Sequence, residues 1–142
     1  PGDNFDLTSS HMAAALIRKC HDAKLAGAPS VTIWGTGKPR RELLYVDDAA
    51  DALVYLSRHY SDGVCLNVGV GDDVTIAEYA QAVADVVGFQ GSFDFDVTKP
   101  DGTPRKLLDV SRLSKLGWQA STSIHDGVAR TYDWFLSQQA AA

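Results

Sequence analysis

The stretch Val31–Leu56, VTIWGTGKPRRELLYVDDAADALVYL, does most to limit what this chain can fold into. It opens with an apolar run, Val31 to Trp34, of the length and composition of a buried strand. Gly35-Thr36-Gly37-Lys38-Pro39 ends that strand, because this density of glycine and proline does not continue a ladder. Arg40, Arg41 and Glu42 lead to a second apolar run, Leu43 to Tyr45, and Asp47 and Asp48 then open a helix. In that helix Val46, Ala49, Ala50, Leu53, Leu56 and Tyr60 recur at helical spacing, which predicts one buried face. Strand, basic loop and helix in succession predict an α/β core with two guanidinium groups and the Trp34 indole at its rim. Such a rim suits an anion attached to a flat ring, as in a nucleoside diphosphate; the alternative is solvated loop charge beside an ordinary core tryptophan.

At 142 residues the chain is of single-domain size and long enough to bury a core. A hydrophobic fraction of 45% speaks against disorder, no apolar run is long enough to cross a membrane, and no signal segment opens the chain. With a net charge of −5 it lacks the basic surface that broad nucleic-acid binding needs. Cys20 and Cys65 are too few and too far apart for a disulfide scaffold or a thiolate metal site, and they read as reduced cysteines of a cytoplasmic protein. The four histidines, His11, His21, His59 and His125, have no metal-ligand spacing among them. The chain opens at Pro1-Gly2-Asp3-Asn4 without a methionine, which points to a fragment or a shortened gene.

Turn-forming residues fill positions 1–10, and Ser9 or Ser10 is placed to cap a helix from about His11 to Leu25 that stops at Gly27 and Pro29. Ala13, Leu16, Ile17 and Cys20 form its expected buried face. His11 sits in the first turn, where the helix dipole favours a neutral imidazole able to trade a proton; a surface histidine is the plainer reading. Arg18, seven residues on, projects to the same side as His11. Val64–Val68 reads as another strand, and Gly69-Val70-Gly71 after it as a turn, because the dinucleotide-binding spacing is missing and Asp72 and Asp73 would repel a pyrophosphate. Thr75 and Glu78 form a capping box for a helix burying Ile76, Ala80, Val83 and Val87 up to Gly88. Phe93, Phe95 and Val97 alternate with aspartates as a half-exposed strand. Lys99–Asp109, KPDGTPRKLLD, reads as a rigid basic loop; a short helix over 110–116 and a Ser123-capped helix burying Ile124, Val128, Thr131 and Phe135 follow, with a frayed end at 138–142.

The segments WGTGKPRRELLYVDDAADAL, SSHMAAALIRKCHDAK and KPDGTPRKLLD resemble, in this order apart from the second preceding the first, those of the GDP-L-fucose synthase family of extended short-chain dehydrogenases/reductases. The likeness runs from PGDNFD at 1–6 to TYDWF at 131–135, with Ala14 where the family often has proline and Cys20 where it often has phenylalanine. It implies that His11 is the acid/base of epimerisation and that Lys19, Arg41 and Lys106 oppose two phosphates, with Trp34 and Asn4 also on the substrate. Lys19 lies roughly 80° around the helix from Arg18, so resemblance and helix geometry name different basic residues there. The implied fold is α/β, a small sheet of short strands near 31–34, 43–45, 64–68 and 92–97 with four or five helices, like the C-terminal substrate-binding domain of NAD-dependent epimerase/dehydratases.

The family's Gly-rich dinucleotide turn and Tyr-x-x-x-Lys pair are not found in residues 1–142, nor is its epimerisation cysteine. The expectation is therefore a nucleotide-sugar-binding domain over 1–142, lacking the N-terminal dinucleotide-binding Rossmann domain. It would bind no NADP(H) itself, although the full-length family uses NADP. Its partner would be a GDP-sugar, GDP-4-keto-6-deoxy-mannose or GDP-L-fucose, with neither nucleic acid nor membrane as partner. Three readings follow: part of a GDP-L-fucose synthase-like enzyme, inactive alone; a stand-alone nucleotide-sugar-binding module; or a self-associating remnant of another nucleotide-sugar epimerase/dehydratase. A homo-oligomer is expected through bare apolar surface, with helix 11–25 as the candidate exposed or exchanged element because its start, Met12–Ala15, is unusually apolar.

Overall fold

Helix α1, Met12–Ala26, places Ala14, Leu16, Ile17, Cys20 and Ala23 on one buried stripe and ends on Gly27 in the left-handed conformation. The computed structural model describes residues 2–140, and Pro1 and the last two positions of the expected frayed tail lie outside them. Strand β1, Ser30–Trp34, turns Val31 and Ile33 inward and pairs in parallel with β4, Ser92–Asp96, in the register Val31↔Phe93 and Ile33↔Phe95. Helix α3, Ile76–Val87, starts in the expected capping box of Thr75 and Glu78 and buries Tyr79, Ala80, Val83 and Val87. Helix α5, Ile124–Ala140, is capped by Ser123, whose hydroxyl accepts from the Asp126 amide at 3.1 Å, and turns Val128, Tyr132 and Phe135 inward. These faces meet in one core formed by α1, α3, α5 and β1. Each side chain fully withdrawn there contributes about 1.5–3 kcal/mol of transfer free energy.

A satellite core forms where helix α2, Val46–His59, meets α4, Ser111–Lys115: Ala52, Leu113 and Trp118 are buried, and the Trp118 indole N–H donates to Asp51 at 2.8 Å. The face α2 buries differs from the expected one. Asp48 and Ala52 point inward, whereas Val46 and Leu53 are 51% and 64% exposed. The cause is the Asp48 carboxylate, which accepts from the amides of Ser121 and Thr122 at 3.2 and 2.8 Å and so turns the helix towards the 118–122 segment. Burial pushes this carboxyl up, and the bonds from Thr122 and Ser121 hold it below its ordinary value.

A second sheet, order β3-β2-β5, consists of two-residue strands: β2, Arg40–Arg41, lies antiparallel to β3, Val74–Thr75, and parallel to β5, Arg105–Lys106. This corrects the expected strand at 43–45, which instead leads half-buried into α2, and the reading of 40–41 and 105–106 as loop. The expected strand at 64–68 does not form either among the described residues. Its carbonyls find side chains rather than a ladder: the Tyr60 hydroxyl donates to Val64 O at 2.5 Å and Arg112 donates to Cys65 O at 3.3 Å. Two smaller expectations also fail. Neither Ser9 nor Ser10 caps α1, since His11 is the N-cap residue with no side-chain cap bond and Ser9 bonds Asp6 instead. Residues 138–140 continue α5 rather than fray.

The Met12–Ala15 start of α1 is not bare: Ala14 is buried and Met12 and Ala13 pack against the main core. Exposed apolar side chains include Leu25 at the end of α1, Val97 after β4, and Val46, Leu53, Val54 and Val64 on and after α2.

Candidate functional site

Parallel pairing of β2 with β5 sets Arg40 beside Arg105 and Arg41 beside Lys106. Successive side chains on a strand leave opposite faces, so each register pair shares a face. On one face Arg40 and Arg105 converge on Asp73, whose side chain is wholly buried: Arg40 Nε donates to Oδ1 at 2.6 Å and Arg105 Nε to Oδ2 at 2.5 Å. The bonds from Arg105 and Arg40 hold the Asp73 carboxyl below its usual range, and the bond to Asp73 raises Arg40 further. On the other face Arg41 and Lys106 have no carboxylate partner among the described residues. Arg41 Nη1 donates to Arg40 O and to Thr103 O, each at 2.7 Å. Two cations side by side without a counter-charge repel each other, and an anion between them relieves that cost.

The loop from Val97 to Pro104 joins this pair to Trp34. Lys99 Nζ stands 5.4 Å from the centre of the Trp34 ring. Asp101 accepts from the Thr36 amide at 2.6 Å and its hydroxyl at 2.8 Å, which hold the carboxyl below its ordinary value. Gly35 is required at this crossing: its φ is +82°, and a Cβ there would collide with Asp101. Thr103 then accepts from Arg41. The two basic motifs, 34–42 and 99–109, therefore meet in space. Trp34 is 67% exposed, so it is not a core tryptophan.

Lys19 joins this region, its Nζ donating to Thr32 O at 3.1 Å, two residues before Trp34. Arg18 points elsewhere, bonded to Asp22 at 2.7 Å and 6.0 Å from the centre of the Phe135 ring on α5. Asn4 is spent in its own turn, donating to Ser9 Oγ at 3.0 Å and accepting from the Asp6 amide at 2.9 Å. His11 is exposed at the head of α1, and no hydrogen bond or ion pair among the described residues ties it or Asn4 to Arg41 or Lys106. Two cavities flank the 122–124 segment. One of about 350 Å³ lies between α1, residues 43–46 and the start of α5; the other, of about 300 Å³, is lined by Arg41, Leu43, Val70 and Asp72.

Gly35-Thr36-Gly37 lacks the setting of a dinucleotide-binding turn. It does follow a strand, but it leads into β2 and not into a helix whose N-terminus could face a pyrophosphate. Among the described residues no three acidic, histidine or cysteine side chains gather to hold a metal ion.

Residues 1–69 match the profile described as the NAD dependent epimerase/dehydratase family. Over 136 residues the chain is 53% identical to GDP-L-fucose synthase 1 of Arabidopsis thaliana, covering 96% of this chain and 42% of that protein. To the GDP-L-fucose synthase of Escherichia coli K12 it is 47% identical over 148 aligned positions, covering 98% of this chain and 46% of that one. The chain matches the C-terminal part of GDP-L-fucose synthases. A solved GDP-L-fucose synthetase from Naegleria fowleri bound to NADP superposes with a TM-score of 0.91 at 29% identity, covering all of this chain and 45% of the other. The chain thus spans less than half the length of these relatives, and its α/β fold is that of their C-terminal domain. No helix among the described residues is long and apolar enough to cross a membrane.

Sequence reasoning missed Asp73, set aside as a turn residue. It lies 33 residues from Arg40 and 32 from Arg105, and no spacing rule links positions that far apart.

Proposed function

We propose that this chain is the sugar-nucleotide-binding part of a GDP-L-fucose synthase-like enzyme, which epimerises and reduces GDP-4-keto-6-deoxy-mannose with NADPH. The observation that carries this reading is the Arg41–Lys106 register pair, two cations with no carboxylate partner, tied through Thr103, Asp101 and Lys99 to the exposed Trp34. In this reading Arg41, Lys106 and Lys19 take the diphosphate and Trp34 the guanine ring. His11 serves the sugar as acid/base, and Asn4 lies at the sugar end. The dinucleotide-binding half lies outside residues 1–142, so this chain alone holds no NADPH and turns nothing over. The setting is the cytoplasm.

The test is a titration of the 142-residue chain with GDP-L-fucose, followed by Trp34 fluorescence and by the amide resonances of Arg41 and Lys106. Saturable quenching with shifts confined to 4, 11, 19, 34–42 and 99–106 is expected. Shifts elsewhere, or none with GDP and GDP-L-fucose alike, overturn it. A self-associating chain is the second reading, favoured by Val46, Leu53 and Val54, each more than half exposed on α2.

A further inference from the structure

Every strand of the β3-β2-β5 sheet is two residues long. The β2–β5 seam is joined by the bonds Arg40 N to Pro104 O at 2.8 Å and Glu42 N to Lys106 O at 3.2 Å. So short a ladder specifies register weakly, and a slip of one residue sends every side chain to the opposite face. After such a slip Arg41 and Lys106 would no longer stand together. Glu42, next to β2, accepts from the Gly71 amide at 2.7 Å and the Leu108 amide at 2.9 Å at one end of the sheet, and a charged lock is on the other face. Asp73 immediately precedes β3, and one carboxylate oxygen takes Arg40 of β2 while the other takes Arg105 of β5. Arg40 Nη2 also donates to the Asp73 carbonyl at 2.6 Å. One wholly buried side chain therefore binds all three strands, at the one register in which Arg40 and Arg105 are neighbours.

We propose that Asp73 is a positioning residue for the diphosphate: by holding Arg40 beside Arg105 it locks the register that holds Arg41 beside Lys106. This rests on the reading of Arg41 and Lys106 as phosphate-binding cations. With no exposed surface of its own, the Asp73 carboxylate acts on the ligand only through the strands. It also offsets the charge of two of the four clustered cations, leaving the other two free to meet an anion.

The experiment compares the 142-residue wild type with Asp73→Asn, which preserves shape and removes the charge. Arg105→Met, which cuts one arm at an exposed side chain, serves should Asp73→Asn fail to fold. Cross-strand nuclear Overhauser effects between Arg41 and Lys106 are expected to weaken or vanish, while those between Val31 and Phe93 in the other sheet persist. Unchanged Arg41–Lys106 contacts overturn the proposal, and so does equal loss in both sheets, which would mark general destabilisation. GDP-L-fucose affinity gives the second readout. About tenfold weakening by Asp73→Asn is expected in the wild-type background and under about twofold in an Arg41→Ala/Lys106→Ala background, because the effect passes through those two side chains. Equal weakening in both backgrounds refutes the mechanism. If the wild type binds no GDP-L-fucose, the functional reading falls, and the Overhauser contacts still decide whether Asp73 sets the register.

Discussion

Replacing Arg41 by alanine is the sharpest test of the diphosphate site, and the structure bounds the effect. Of the five guanidinium N–H groups, those on Nη1 face Arg40 O and Thr103 O at 2.7 Å each. The Nε–Nη2 edge remains, two parallel donors in the geometry that grips one phosphate from the side. Hydrogen bonds to a charged group contribute about 1.5–3 kcal/mol each. The two donors here share one side chain at a partly exposed site, so about 1.5–3 kcal/mol is the expectation for the whole contact, a weakening of GDP binding by roughly 10–150-fold. Arg41→Lys keeps the charge but loses the fork and should fall between wild type and alanine. Because Arg41 also anchors Thr103, the alanine variant should loosen the loop bearing Lys99 and shift the emission of the exposed Trp34. Calorimetry of GDP binding at low salt, where exposed charges are least screened, measures the loss, with thermal melting as the check on folding. Equal GDP affinity of wild type and Arg41→Ala would refute the argument.

Ile17, 1% exposed where α1 meets the main core, should cost about 2–5 kcal/mol when cut to alanine, read by urea denaturation; a loss under about 1 kcal/mol would mean that the core is looser than its burial indicates. Acid should act through Asp73, whose carboxyl the Arg105 and Arg40 bonds hold below its ordinary 3.8. A depressed folded pKa gives stability that is complete above the unfolded value and lost as pH falls through the folded one. Melting temperature should therefore fall below about pH 4, and less steeply in Asp73→Asn; identical acid limbs would contradict this assignment. The exposed α2 surface should drive association, so Leu53→Asp should sediment at the 15.3 kDa monomer mass at concentrations where wild type is larger, with melting unchanged. Wild type that is monomeric at high micromolar concentration would dispose of the idea.

The elements legible in the sequence are those whose signal is local. The Thr75–Glu78 capping box and the strands at 31–34 and 92–96 each carry their own evidence and form, although the alternation in β4 is incomplete: Phe95 is exposed and Val97 lies beyond the strand. The basic motifs at 34–42 and 99–109 were legible as a pair through resemblance, and Trp34 as a rim indole through its loop. What stayed hidden depends on partners far along the chain. A two-residue strand has no period to detect, so β2 and β5 read as loops until Asp73 closes them. The inward turn of α2 depends on Asp48, a carboxylate accepting amides 73 and 74 residues away, and apolar periodicity counts such a residue as solvent-facing.

The two largest disagreements between pattern and structure fall in one continuous segment, 46–68. Helical spacing assigns Val46 and Leu53 to a buried face, and strand composition assigns Val64–Val68 to a ladder; the structure leaves the first pair bare and the second run unpaired among the described residues. These misses differ from those at Arg40 and Arg105, because no polar bond explains what the apolar side chains gain. Asp48 and Trp118 account for which face of α2 turns inward, but they leave an equally apolar face outward. Each of the half-exposed side chains Val46, Leu53, Val54 and Val64 forgoes roughly half of the about 1.5–3 kcal/mol that full burial contributes, and a partner surface covering them would recover it. Leu53→Asp tests that surface without touching Asp48, Ala52 or Trp118, so a change in association with no change in melting would locate the contact on the outer face of α2.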